Sequence, residues 1–172
     1  MATQTSAQHI TETICTFLEE IGFRIHKQLI TEETFLPGIL ISHGELIIDE
    51  GKLLYPGDIL HEAGHLAVMT PEERINSKGN VGNTVNPQQA AGEEMMAICW
   101  SYAASCKLGL APEVVFHPDG YKGSSDWLIE QYTSGNYMGL PILQWIGLCY
   151  DAKMAAANKA EAYPQMSKWL RN

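Results

Sequence analysis

Apolar residues at Ile10, Ile14, Phe17, Leu18 and Ile21 recur at the spacing of one helical face, and Gly22 follows where a glycine ends a helix. The chain therefore opens with an amphipathic helix. Between Gly38 and Tyr55 the rhythm changes: three short apolar runs, 38–42, 45–49 and 52–55, are separated by His43-Gly44 and Glu50-Gly51. This is the pattern of strands joined by tight antiparallel hairpins. The next segment begins at Asp58, which can cap a helix start, and up to about Met69 it is apolar or small except for His61, Glu62 and His65. Thr70 and Pro71 then start one further helical turn.

The stretch NSKGNVGNTVN, 76–86, is polar and glycine-rich and reads as a mobile loop too weakly apolar to pack. Asn86, Pro87 and Gln89 have the spacing of a capping box and open a helix that runs to Gly109, the longest in the chain and a buried one. Further helices are predicted over 125–134 and 140–158, the second opened by Pro141, with a short terminal helix over 164–170. No repeat or linker divides the chain. Residues 1–172 thus read as a single α+β domain, mostly helical, with a small antiparallel sheet just before the helix that carries His61 and His65.

Composition narrows the class. A chain of 172 residues can bury roughly two thirds of its unfolded surface around one core. A net charge of -9 and a pI near 5.0 argue against nucleic acid or an anionic membrane as partner, because both repel an acidic protein. The opening MATQTSAQHITETICTFLEE has no basic leader and no long apolar run, so it is neither a secretory signal nor a membrane span, and a cytoplasmic location is expected. Cys15, Cys99, Cys106 and Cys149 form no CxxC pair and are expected to be reduced and mostly buried. His9, His26 and His43 are expected at the surface.

The chemistry concentrates in GDILHEAGHLAV, 57–68. Residues four apart on a helix turn through about 400°, so His61 and His65 lie about 40° apart around the axis and one turn apart along it, and both imidazoles can reach one ion. Glu62 sits about 100° from His61. That direction suits a general base holding a water better than a ligand. Gly64, inside the helix, costs about 1 kcal/mol relative to alanine and implies a close approach by another backbone or a substrate.

HExxH, here HEAGH at 61–65, resembles the zinc-binding helix of the zincin metallopeptidases. Val68 and Pro71 stand where the metzincin subclass has its glycine and third histidine, so that subclass is excluded. The gluzincins take a third ligand from a glutamate on a later helix, and AAGEEMMAICWSYAA supplies such a helix. Adjacent helical residues point about 100° apart, so only one of Glu93 and Glu94 can face the ion. Glu94 shares its face with Ala97, Ile98 and Ser101, Glu93 with Met96 and Trp100. Glu94 is preferred, with Glu93 the alternative and Asp126 a weaker one. The resemblance covers 38–104 and implies a zincin-like fold in which the strand before the metal helix, within GELIIDEGKLLY, edges the cleft and pairs with an extended peptide.

The implied function is a zinc-dependent hydrolase, a metallopeptidase acting on a peptide or protein substrate with Glu62 as base to a metal-activated water. The alternative is a zincin-like protein that keeps the metal but works as a sensor or partner-binding module. His117, Tyr121, Tyr132 and Tyr137 are the candidates for stabilising an oxyanion, and no motif selects among them.

Overall fold

A computed structural model describes residues 2–81 and 87–172. The first helix, α1 (Ala2–Glu20), buries Ile14, Phe17 and Leu18. It stops as predicted: the amides of Gly22 and Phe23 donate to the carbonyls of Glu19 and Leu18, satisfying the end of the helix.

Three strands follow, β1 (Ile25–Lys27), β2 (Ile39–Ser42) and β3 (Glu45–Ile48), in the order β1-β3-β2. β2 and β3 form the predicted hairpin, with Ser42 opposite Glu45 and with His43 and Gly44 at φ 53° and 76°, the left-handed pair that a two-residue turn requires. Ile39, Ile41, Leu46 and Ile48 alternate onto the buried face.

Two expectations about the sheet fail. β1 pairs parallel with β3, so the sheet is mixed rather than antiparallel, and β3 is its central strand. Residues 52–55 form no strand. Asp49 turns the chain there, its carboxylate accepting from the amides of Ile30 (3.0 Å) and Gly51 (3.1 Å) and its carbonyl from those of Lys52 and Leu53. The amides that a third strand needs are used in this turn, and Leu54 is left 66% exposed.

The helix α2 (Gly57–Val68) is buried at every position except His61. Pro56 already has helical angles, φ -57° and ψ -30°, so Asp58 lies inside the first turn and is not the N-cap. Next comes α3 (Pro71–Asn76), where Thr70 and Glu73 make a reciprocal capping box. Part of the expected loop is in fact packed: Gly79 donates its amide to Ile41 at 2.9 Å, Lys78 bridges Ser42, and Val81 is buried. Residues 82–86, including the predicted helix start at Asn86, lie outside the described residues. The long helix α4 (Pro87–Leu108) ends where Gly109 predicts.

Beyond it, α5 (Ser125–Thr133) matches expectation, but 140–158 is two helices, α6 (Leu140–Trp145) and α7 (Ala152–Asn158). Gly147 at φ 82° breaks the run, and Asp151 restarts it by accepting the Met154 amide at 2.7 Å. The predicted terminal helix is absent. Ser167 and Lys168 instead donate to the Leu148 carbonyl, the Trp169 carbonyl accepts from Trp100 Nε1 at 2.9 Å, and the Arg171 amide donates to Ala67. The chain's last residues thus strap α2 and α4 together. Among the described residues no helix is long and apolar enough to cross a membrane.

A close helix contact joins α2 to α4. A Cβ built on Gly64 would lie 2.8 Å from the carbonyl oxygen and 3.2 Å from the Cα of Ala97. Gly64→Ala should therefore lose more by forcing the helices apart than it gains in helix propensity, a net destabilisation of about 1–3 kcal/mol in urea unfolding. An alanine variant as stable as the wild type would show that the helices can part freely.

Candidate metal centre

His61 and His65 project from α2 toward Glu94 on α4. His65 Nε2 lies 3.2 Å from His61 Nε2 and 3.1 Å from Glu94 Oε2, and His61 Nε2 lies 3.6 Å from Glu94 Oε1. Among the described residues this is the one group of three potential ligands with donor atoms so close together. A tetrahedral ion with donors at about 2.0–2.1 Å spaces them about 3.3 Å apart, close to the His61–His65 and His65–Glu94 Oε2 distances, while His61 meets the other Glu94 oxygen. Direct hydrogen bonding satisfies the triangle poorly, since His65 Nε2 carries at most one proton for two neighbours.

The surroundings prepare these groups. Burial and the neighbouring His65 pull the His61 pKa down to about 4, so the ring is a neutral donor at pH 7. Burial alone would raise Glu94, but the hydrogen bond from His65 and the two nearby imidazoles outweigh it and leave the carboxyl below its ordinary range. His61 Nδ1 meets the Tyr121 hydroxyl at 3.2 Å, which fixes the ring with Nε2 toward the triangle. Burial holds that phenol well above its ordinary pKa, so Tyr121 stays protonated.

Glu62 is buried beside the triangle without joining it, and burial raises its carboxyl to about 7. Glu62, the triad and Tyr121 line a cleft of about 920 Å³. His117 lies in the same cleft. Its Nε2 donates to Asp58 Oδ1 at 2.8 Å, its ring stacks on Tyr55 at 3.8 Å, and its buried Nδ1 has no hydrogen-bond partner among the described residues. Asp58, taken from the sequence as a cap, is thus a site residue whose pKa burial raises against the pull of His117.

The remaining candidates separate by position. Glu93 is outside the ligand group: its Oε1 accepts from Gln89, and it lines a second pocket of about 200 Å³ with Trp145 and Arg171, on which His65 also borders. Asp126 is exposed at the start of α5 and outside the ligand group. Tyr132 donates to the Met138 carbonyl at 2.5 Å and Tyr137 packs on Tyr163, and neither lines the cleft. Of the four oxyanion candidates, His117 and Tyr121 line the cleft. Trp100 is a core residue bonded to the C-terminal strap. Of the methionines in this region Met96 is buried, while Met95 is exposed. Cys15, Cys99 and Cys149 are buried and Cys106 exposed, and His9, His26 and His43 are at the surface.

Sequence reasoning missed the Asp58–His117 pair, since nothing local links a helix start to a histidine 59 positions later. Asp58→Ala should strand a buried imidazole and destabilise the fold by about 1–3 kcal/mol, whereas Asp58→Asn, which keeps an acceptor, should lose less. Equal unfolding midpoints in urea for the two variants would dissociate the pair from stability. The chain matches no family model, no curated protein and no solved structure, so the geometry of His61, His65, Glu94 and Glu62 is what bears on function.

Proposed function

We propose that the protein is a zinc-dependent hydrolase of zincin type, a metallopeptidase that cleaves peptide bonds. The observation that carries this reading is a donor triangle of two imidazoles and one carboxylate, open on a large cleft, with an uncoordinated buried glutamate next to the first histidine. Two nitrogens and one oxygen with an open position match a catalytic zinc site better than a closed structural one. A cytoplasmic setting suits the buried thiols of Cys15, Cys99 and Cys149, which burial pushes up to about 11, 12 and 12.

His61, His65 and Glu94 would hold the ion. Zinc, when bound, supplies a Lewis acid and a water of lowered pKa. Glu62 would take up a proton from the attacking water and return it to the leaving amine, a task for which a carboxyl shifted toward neutrality is suited. Tyr121 holds His61 in register, and its protonated hydroxyl, like His117, lines the cleft where a carbonyl oxygen would gain charge. β3 is hydrogen-bonded on both sides and β2 already accepts the Gly79 amide at Ile41, so a peptide does not pair along the full length of either strand. Leu40 and Ile41 of β2 line a small pocket that also reaches Glu62.

Elemental analysis of protein purified without chelator should find about one zinc per chain. Glu94→Ala should lose it and Glu93→Ala should keep it. A wild type that neither contains nor takes up zinc would end the metal reading.

Glu62→Gln preserves shape and ligands, so zinc should stay while hydrolysis of a mixed peptide library, read by mass spectrometry, falls at least ~100-fold. Zinc binding without cleavage by the wild type would instead support a metal-binding sensor or partner-binding protein.

A further inference from the structure

The cleft carries two features that the metal chemistry does not use. The first is apolar: Phe35 and Trp127, from different segments, line it while 69% and 48% exposed. Aromatic surface left in water at the mouth of a cleft gains most when a ligand covers it. Leu36, Ile98 and Leu128 continue the apolar wall toward the triad.

The second is charge. Among the described residues the cleft is lined by Asp58, Glu62, Glu94 and Asp119 against one lysine, Lys122. The adjoining pocket of about 200 Å³ along β2, which shares Phe35, Leu36, Glu62 and Asn80 with it, adds Glu32 and Glu33, and no lysine or arginine lines it among the described residues. A divalent ion would be balanced by Glu62 and Glu94, and Asp58 is hydrogen-bonded by His117. That leaves Glu32, Glu33 and Asp119, all exposed, of which Asp119 accepts from the Tyr55 hydroxyl and shares the cleft with Lys122. Glu32 and Glu33 precede Phe35 with only Thr34 between, so the acidic edge and the apolar one lie side by side there.

From this juxtaposition of exposed aromatic surface and surplus carboxylates we propose that the site selects extended peptide segments in which a large apolar residue is flanked by lysine or arginine. The proposal rests on the hydrolase reading for its catalytic consequence, and its binding consequence stands apart from it. The apolar residue covers Phe35 and Trp127, and the flanking cations meet Glu32, Glu33 and Asp119. An acidic segment is repelled both by this rim and by a chain of net charge -9. Because the rim acids are exposed, the preference is electrostatic and falls with salt.

The test uses three labelled peptides with one Phe-Leu centre, flanked by lysines, serines or glutamates. Their binding is measured by fluorescence anisotropy on zinc-loaded Glu62→Gln protein, and their cleavage by the wild type, at low and high NaCl. The lysine peptide should bind at least ~10-fold tighter than the glutamate peptide at low salt, with the two converging at high salt. The double variant Glu32→Lys, Glu33→Lys should erase or reverse that order at unchanged zinc content and circular dichroism. Trp127→Ala should weaken all three peptides together. Equal binding of the three, or an order that the charge reversal leaves intact, overturns the proposal. Cleavage of all three at equal rates keeps the hydrolase and overturns the selectivity, whereas ordered binding without cleavage by the wild type keeps the selectivity and removes the hydrolase.

Discussion

The contact between Gly64 and the backbone of Ala97 sets the distance between α2 and α4, and that distance decides whether the site exists at all. A carboxylate one turn before Ala97 can reach two imidazoles beside Gly64 only while the helices nearly touch. Side chains of ordinary size at the crossing would hold the axes 8–10 Å apart, and the spacings of 3.1–3.6 Å between ligand atoms would open. A helix-interior glycine, costly in isolation, thus serves as the spacer of the centre. The C-terminal strap, bonded to Ala67 on one helix and Trp100 on the other, closes the same clamp from outside.

Placing polar groups against this apolar crossing has one physical cause and two opposite results. Burial disfavours charge, so it lowers His61 to about 4 and raises Glu62 to about 7. The ring is kept neutral at pH 7 and the carboxyl is shifted toward neutrality. Glu94 escapes the same fate through the two imidazoles facing it and through its exposure, with 43% of its side chain in solvent. Neighbouring residues of one helix therefore diverge in chemistry because each meets a different balance of burial and partners.

What could be read from the sequence was what a single helix or turn encodes. His61 and His65 were brought to one face by period alone, the hairpin at His43-Gly44 by its turn residues, and the preference for Glu94 over Glu93 by the small side chains on its face. Illegible were features set by distant partners. The parallel pairing of β1 involves three residues whose polarity hardly alternates, and the run 52–55 looks like a strand until Asp49 claims its amides. Asp58 reads as a helix cap until His117 arrives from another part of the chain, and 164–170 looks helical until its amides find Leu148. Tyr121 was one of four equal candidates, and only the fold sets its hydroxyl against His61.

The C-terminal end of α2 shows how this arrangement constrains assembly. Its final carbonyls are met by arginines: Arg74 donates to Leu66 at 2.8 Å and to Met69 at 2.9 Å, and bonds the Arg171 carbonyl at 2.9 Å, while the Arg171 amide holds Ala67. The positive guanidiniums also oppose the negative pole of the helix. Half of this cap is local and half comes from about a hundred positions further along the chain. The local half can form with the hairpin and α2, but the distant half closes a long loop, the kind of contact that slows folding. A nascent chain would thus present both histidines on a formed helix well before the clamp that sets their distance to Glu94, so the three-residue cluster is completed by a long-range step of folding rather than by the first helical turn.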